Sequence, residues 1–120
     1  MISSLSIIFP FFNEQKRLTK SLRLIKDFIN IHNFKYLEII FINDGSFDQS
    51  NNLINSFIKK TKFKKKVKIV LFKNFINKGK GFSLKKGVAL SSAEWILTLD
   101  IRSEEHTSEL QSLAYLVCRL

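Results

Sequence analysis

Four short segments carry the residues whose types and spacing could do chemistry. "PFFNE" contains Glu14, "NDGSFD" contains Asp44 and Gly45, "NFINKGKG" contains Asn77 through Gly81, and "WILTLD" ends on Asp100. A carboxylate such as Asp44 accepts N–H bonds from a base or O–H bonds from a ribose, and serves equally as a turn or helix-cap acceptor. Glu14 suits a sugar hydroxyl, or the positive end of a following helix. Gly45 suits positive φ or close approach of a ligand, and also a plain tight turn. Gly79 and Gly81, interleaved with Lys78 and Lys80, let backbone and ammonium groups approach a diphosphate. This is not a Walker loop, which needs G-x-x-x-x-G-K-[ST], and G-x-G alone is a weak signal. Asp100 closes an apolar run. A second aspartate two positions later would complete a D-x-D site of hard oxygens for Mg2+ or Mn2+. That position is Arg102, which cannot ligate a metal.

These segments follow elements that alternate in type. Apolar runs at 5–9, 36–42, 67–72 and 94–100 read as strands, the first bounded by Pro10. Between them lie helical patterns. Leu18, Leu22, Ile25 and Ile29 recur at helical spacing from Glu14 to Ile31. Ser46 and Gln49 have capping-box spacing, which predicts a second helix from Phe47 with Leu53, Ile54, Phe57 and Ile58 inward. A third helix follows the glycine loop and is expected to bury Leu84, Val88 and Ser91. The order β-α-β-α-β-α-β predicts an α/β, Rossmann-like parallel sheet with helices on both faces. Ligands of such sheets sit beyond the carboxyl ends of the strands, where all four segments arrive.

Composition bounds the rest. The chain has 120 residues, 45% of them hydrophobic, which suits one small globular domain. The single cysteine, Cys118, excludes an intrachain disulfide. No apolar run is long enough to span a bilayer. The start lacks a basic n-region and has Pro10 inside its apolar run, so no signal peptide is expected and the location reads as cytoplasmic. A net charge of +10 points to an anionic partner. The lysine run at 59–68 reads as a solvated face or as a footprint on anionic lipid.

The composition changes at residue 102. All 12 phenylalanines and all 16 lysines precede it, and residues 102–120 contain no Lys, Asn, Ile or Phe. The eleven residues "RSEEHTSELQS" resemble the translation, in one frame, of a common sequencing-library adapter. Residues 1–101 are therefore expected to be native and 102–120 a non-native tail. The alternative is a C-terminal amphipathic helix on Leu110, Leu113, Ala114 and Val117.

Together, "SIIFPFFNE", "FINDGSFDQS", "NKGKGFSLKKG" and "WILTLD" resemble the family-2 glycosyltransferases, over residues 3–101 and in the family's order. The resemblance implies the GT-A fold, truncated after the fourth strand, and the nucleotide-sugar-binding half of an inverting enzyme. It implies that Pro10, Phe12 and Glu14 line the nucleotide pocket and that Asp44 bonds the base. It places Asn77 and Gly79 beside the nucleotide and Asp100 near the ribose and the metal. Asn43 stands where the family usually has an aspartate. Mg2+ or Mn2+ is implied for the full-length enzyme, with poor binding here because of Arg102. The donor would be UDP- or GDP-linked and the acceptor a glycan or a lipid phosphate. The "NKGKG" loop looks most like the branch that serves polyprenyl or dolichyl phosphate, in peripheral contact with a cytoplasmic membrane face. The acceptor-side base would lie beyond residue 101, so no catalytic residue is assigned and the fragment is expected to be inactive. Two other readings are a basic nucleic-acid-binding module and another α/β nucleotide binder such as a nucleotidyltransferase. The first would show steeply salt-dependent DNA binding.

Overall fold

A computed structural model describes residues 4–62, 67–99 and 114–118. Four parallel strands alternate with three helices: β1 (Ser4–Phe11), α1 (Gln15–Ile31), β2 (Tyr36–Asn43), α2 (Ser50–Lys60), β3 (Lys68–Lys73), α3 (Lys80–Leu90) and β4 (Trp95–Leu99). A fifth strand, β5 (Ala114–Cys118), pairs antiparallel with β4. The sheet order is β3-β2-β1-β4-β5. β1 pairs with β2 from Ser4↔Tyr36 to Phe11↔Asn43, and with β4 from Leu5↔Trp95 to Ile8↔Thr98. Thus β1 and β2 are central, and their near-continuous apolar runs are buried along almost their whole length.

Alternation along the strands divides the core into two faces. Leu5, Ile7, Phe9 and Phe11 share one face with Leu37, Ile39 and Phe41. Leu18, Leu22, Ile25 and Ile29 of α1 and Ile54 of α2 pack there. Ile8, Ile40, Ile42 and Ile96 form the other face, against Leu84 of α3. The chain leaves β3 and returns on the far side of β1, so its right-handed crossover puts α3 on the opposite face from α1 and α2. The order of strand addition reverses between the parallel β1 and β4, a topological switch point at whose carboxyl edge ligands collect.

Several boundaries differ from the sequence expectation. β1 runs through Pro10 to Phe11 rather than stopping at Phe9. Phe11 C=O accepts from Asp44 N–H on the β2 side, so the missing N–H of Pro10 faces away from β2 and breaks no bond of that ladder. α2 begins at Ser50, not Phe47, and Ser46 does not cap it. α3 buries Ser83 and Gly87, while Val88 is 39% exposed. A Cβ on Gly87 would lie 2.4 Å from Ile8 Cγ2, so only glycine lets α3 approach the sheet this closely. The register of the inward face follows Gly87 and leaves Val88 outside. Asp100 and residues 102–112 lie outside the described residues. Within the tail, Ala114–Cys118 is strand and not the alternative helix.

At the amino edge of the sheet a buried carboxylate is concealed in the apolar run of β2. Glu38 accepts from Ser6 Oγ at 2.6 Å, Ser92 N at 2.6 Å and Tyr36 OH at 2.9 Å. Burial raises its carboxyl. The bonds from Ser6, Ser92 and Tyr36, with the charge of Lys68, outweigh burial and hold it below its ordinary value. Glu38 thereby ties the α3–β4 connection to β1 and β2, far from the strand ends that carry the candidate site.

Candidate functional site

The strand ends at the carboxyl edge hold one another through hydrogen bonds between loops. The first and second loops meet at Asn13. Its N–H donates to Ser46 Oγ at 2.9 Å, and its Oδ1 accepts from Phe47 N at 3.0 Å. Asn13 is the one described non-glycine residue with positive φ, at 49°, a conformation that asparagine tolerates. Glu14 N–H donates to Ser50 Oγ, and Gln15 N–H donates to Asp48 Oδ2. Asp48 Oδ1 also accepts from Ser50 N at 2.8 Å, an Asx-type contact that satisfies the first N–H of α2, whereas Ser46 makes no bond to that helix end. Burial raises the Asp48 carboxyl, but its bonds from Ser50 and Gln15 bring it below its ordinary value.

The second and third loops meet at Asp44, which is 4% exposed. Its Oδ1 accepts from Asn74 Nδ2 at 2.9 Å and Lys78 N at 2.8 Å. Its Oδ2 accepts from Asn77 Nδ2 at 3.1 Å and Gly79 N at 2.8 Å. Asn74 also reaches Ser83 Oγ in α3 at 3.3 Å. Gly45, with φ at 79°, turns the chain where a Cβ would lie 2.7 Å from the backbone of Ile76 and Asn77. Asn43 spends its side chain on the same turn: Oδ1 accepts from Ser46 N, and Nδ2 donates to Asn51. The donation to Asn51 is one that an aspartate could not make.

The sequence-derived site residues are thus gathered, though not equally exposed. Pro10 is buried in β1. Phe12 is 37% exposed and packs edge-on against Phe47 at 5.9 Å between ring centroids. Glu14 closes the first turn of α1 with its C=O and pairs with Arg17. Gly79, with φ at 96°, precedes α3. Asp44, Asn77 and Gly79 form one hydrogen-bonded unit, whereas Asp100 lies outside the described residues. A pocket of about 380 Å³ opens beside this edge, lined by Asn13, Glu14, Gln15, Lys16, Arg17 and Asp48. Its volume lies at the lower end of that of small-ligand sites. Asn13, Ser46, Asp48, Asn74 and Ser83 had no place in the sequence-derived set. Their signal was position, as polar residues directly after apolar strands or near the start of a helix, with capping-box spacing in addition at Ser46.

The described residues do not build a metal centre. No three His, Cys, Asp or Glu side chains among them converge, and Asp44 has given its oxygens to N–H groups. The basic run also separates from the site. Lys59, Lys60, Lys62 and Lys68 lie at the end of α2 and the start of β3, which is the amino edge. Cations at the carboxyl edge include Lys16 and Arg17 at the start of α1, and Lys73, Lys78 and Lys80, with Lys78 Nζ 5.1 Å from the ring centre of Phe82.

Comparison with known proteins agrees with this geometry. The chain is 38% identical over 100 residues to a dolichyl-phosphate beta-glucosyltransferase of Dictyostelium discoideum, covering 80% of this chain and 30% of that protein. Among solved structures, S. aureus TarS 1-349 in complex with UDP superposes with a TM-score of 0.68 at 18% identity, over 81% of this chain and 27% of that one. The mannosyltransferase PcManGT from Pyrobaculum calidifontis, in complex with GDP-Man and Mn2+, gives 0.66 at 18% identity, over 80% and 26%. The two structures share the fold, and the chain spans less than a third of the length of each of the three proteins. The pattern described as Glycosyl transferase family 2 matches residues 6–117. A parallel sheet of this order, with its strand-end loops bound into one edge and a family match across nearly its whole length, makes this chain a member of the family-2 glycosyltransferases.

Proposed function

We propose that the chain is the donor-binding half of an inverting glycosyltransferase, one that passes a sugar from a UDP- or GDP-linked donor to a polyprenyl or dolichyl phosphate. The observation that carries the reading is the binding of three strand-end loops into one carboxyl edge through Asn13 and Asp44. The acceptor class is supported by the Dictyostelium relative. In such a transfer an acceptor phosphate oxygen attacks the sugar carbon, the bond from that carbon to the diphosphate breaks, and the diphosphate leaves with the electron pair. Pro10, Phe12 and Glu14 border the nucleoside in this reading. Lys78, Lys80 and the start of α3 lie where the leaving negative charge develops. Mg2+ or Mn2+, supplied in the whole enzyme, would neutralise the same charge. The described residues do not themselves assemble a ligand set for it.

Membrane contact is part of the proposal. Phe75 is 96% exposed and Ile76 is 65% exposed, with Lys73, Lys78 and Lys80 around them. Apolar side chains flanked by lysines suit an anionic lipid interface. Among the described residues no helix is long and apolar enough to cross a membrane.

The test is calorimetric titration with UDP, GDP and duplex DNA. Binding of one nucleotide without DNA binding supports the reading. Salt-dependent DNA binding without nucleotide binding overturns it. Assayed with nucleotide sugars, the chain, which spans less than a third of the length of those relatives, is expected to transfer no sugar. Residues 102–120, of which the family match takes in 102–117, are further proposed to be a non-native tail, on the strength of the eleven-residue adapter match. Independent reads of the source DNA that reproduce "RSEEHTSELQS" would overturn that.

A further inference from the structure

We infer that the groove between α1 and α2 is a docking surface for an acidic amphipathic helix of a partner protein. It uses none of the strand-end loops, so it stands independently of the donor-binding reading. Thr19, Leu22, Arg23 and Lys26 line it from α1. Leu53, Ser56, Phe57 and Lys60 line it from α2. Each set has the spacing i, i+3, i+4, i+7, so each is one face of its helix. Both helices return from the carboxyl edge to the amino edge between parallel strands, so they run in the same direction. Lys26 and Lys60 therefore lie at the same end of the groove. Its volume is about 320 Å³. The floor is apolar: Leu22 is buried, and Leu53 and Phe57 pack partly buried against the core. The rim is cationic: Arg23, Lys26 and Lys60 are exposed. Among the described residues none of these three is in an ion pair. Asp27 is the one carboxylate within the two helices, and it does not line the groove. Lys60 also suits the carbonyl end of α2, but Arg23 lies in the middle of α1 and has no such role. A flat bilayer would meet the rim and leave the concave floor untouched. A nucleic-acid backbone would meet the same cations and gain nothing from Leu22 and Leu53. A helix laid between α1 and α2 reaches both. Its apolar side chains meet Leu22, Leu53 and Phe57, and its carboxylates meet Arg23, Lys26 and Lys60.

The probe is a synthetic peptide with leucines at i, i+3 and i+7 and glutamates on either side, set against the same residues in scrambled order. Fluorescence anisotropy should show the ordered peptide binding the full chain at least about tenfold more tightly than the scrambled one. Equal binding of the two would overturn the proposal. In the unsubstituted chain the amide resonances of Leu22, Ser56 and Phe57 should shift as the ordered peptide is added. Shifts that spare all three would also overturn it. Arg23→Glu, Lys26→Glu and Lys60→Glu together should weaken the peptide at least about tenfold, and a peptide with lysines in place of the glutamates should bind that variant instead. The same reversal at Lys35, Lys85 and Lys86, which do not line the groove, should leave binding unchanged. An equal loss there would reduce the contact to net charge and sink the proposal. If the groove variant loses phosphatidylserine vesicles or duplex DNA but keeps the peptide, the cations serve lipid or nucleic acid and the proposal fails.

Discussion

The N–H of Asn13 meets the hydroxyl of Ser46 at 2.9 Å, across 33 residues of sequence. This contact joins the loop after β1 to the loop after β2 and holds Asn13 in its left-handed conformation. Without it, the Asn13 N–H would be left unpaired at a part-buried position.

Ser46→Ala should therefore lower stability by about 1 kcal/mol. Ser46→Thr, which keeps the hydroxyl, should recover most of the loss. Urea denaturation reads this as a lower midpoint at unchanged slope. Equal midpoints for the alanine variant and the parent would show that the contact contributes nothing.

Glu38 makes stability depend on pH, and the sign follows from its shift. Its carboxyl is held below the ordinary value of 4.5 in the folded chain. The contribution is present above about pH 4.5 and is lost as pH falls from there through the folded value. Glu38→Gln should be less stable at pH 7 by about 1–3 kcal/mol, because the new amide would set a donor against Ser6, Tyr36 or Ser92. It should also lose less stability between pH 5 and pH 3, as measured by thermal melting. Parallel pH profiles for parent and variant would rule this out.

Two glycines in α3 should respond oppositely to alanine. At Gly87 the new Cβ meets Ile8 at 2.4 Å, so Gly87→Ala should cost about 1–3 kcal/mol by overpacking. At Gly81 nothing lies within 4 Å of the new Cβ. Gly81→Ala should leave stability unchanged or raise it by up to about 1 kcal/mol through helix propensity. Denaturation midpoints that move together would refute the contrast.

The alternation of strands and helices was written in local pattern. Leu18, Leu22, Ile25 and Ile29 repeat at helical spacing, and all four are buried as that spacing requires. The apolar runs of β1 and β2 called for cover on both faces, and the three helices supply it. Gathering of the strand-end segments at one edge followed from chain order and crossover handedness alone. Where partners lie far apart in sequence, pattern was silent. Ser46 carried capping-box spacing, yet its oxygen goes to Asn13, because the neighbouring loop brings an N–H closer than the helix does. Val88 fits the helical stripe, but Gly87 faces Ile8, because close packing on the sheet outweighs the apolar side chain. Glu38 was hidden inside an apolar strand, and only the folded chain brings it Ser6, Tyr36 and Ser92. Asp44 was legible as a residue of the carboxyl edge from its place after β2. That its oxygens are filled by Asn74, Asn77, Lys78 and Gly79 was decided in tertiary structure, since those donors arrive 30 to 35 residues later in the chain. Sequence thus determined which residues reach the edge, because periodicity and crossover handedness are local rules. Tertiary structure decided which atoms each one holds, because hydrogen-bond partners are chosen by distance in space.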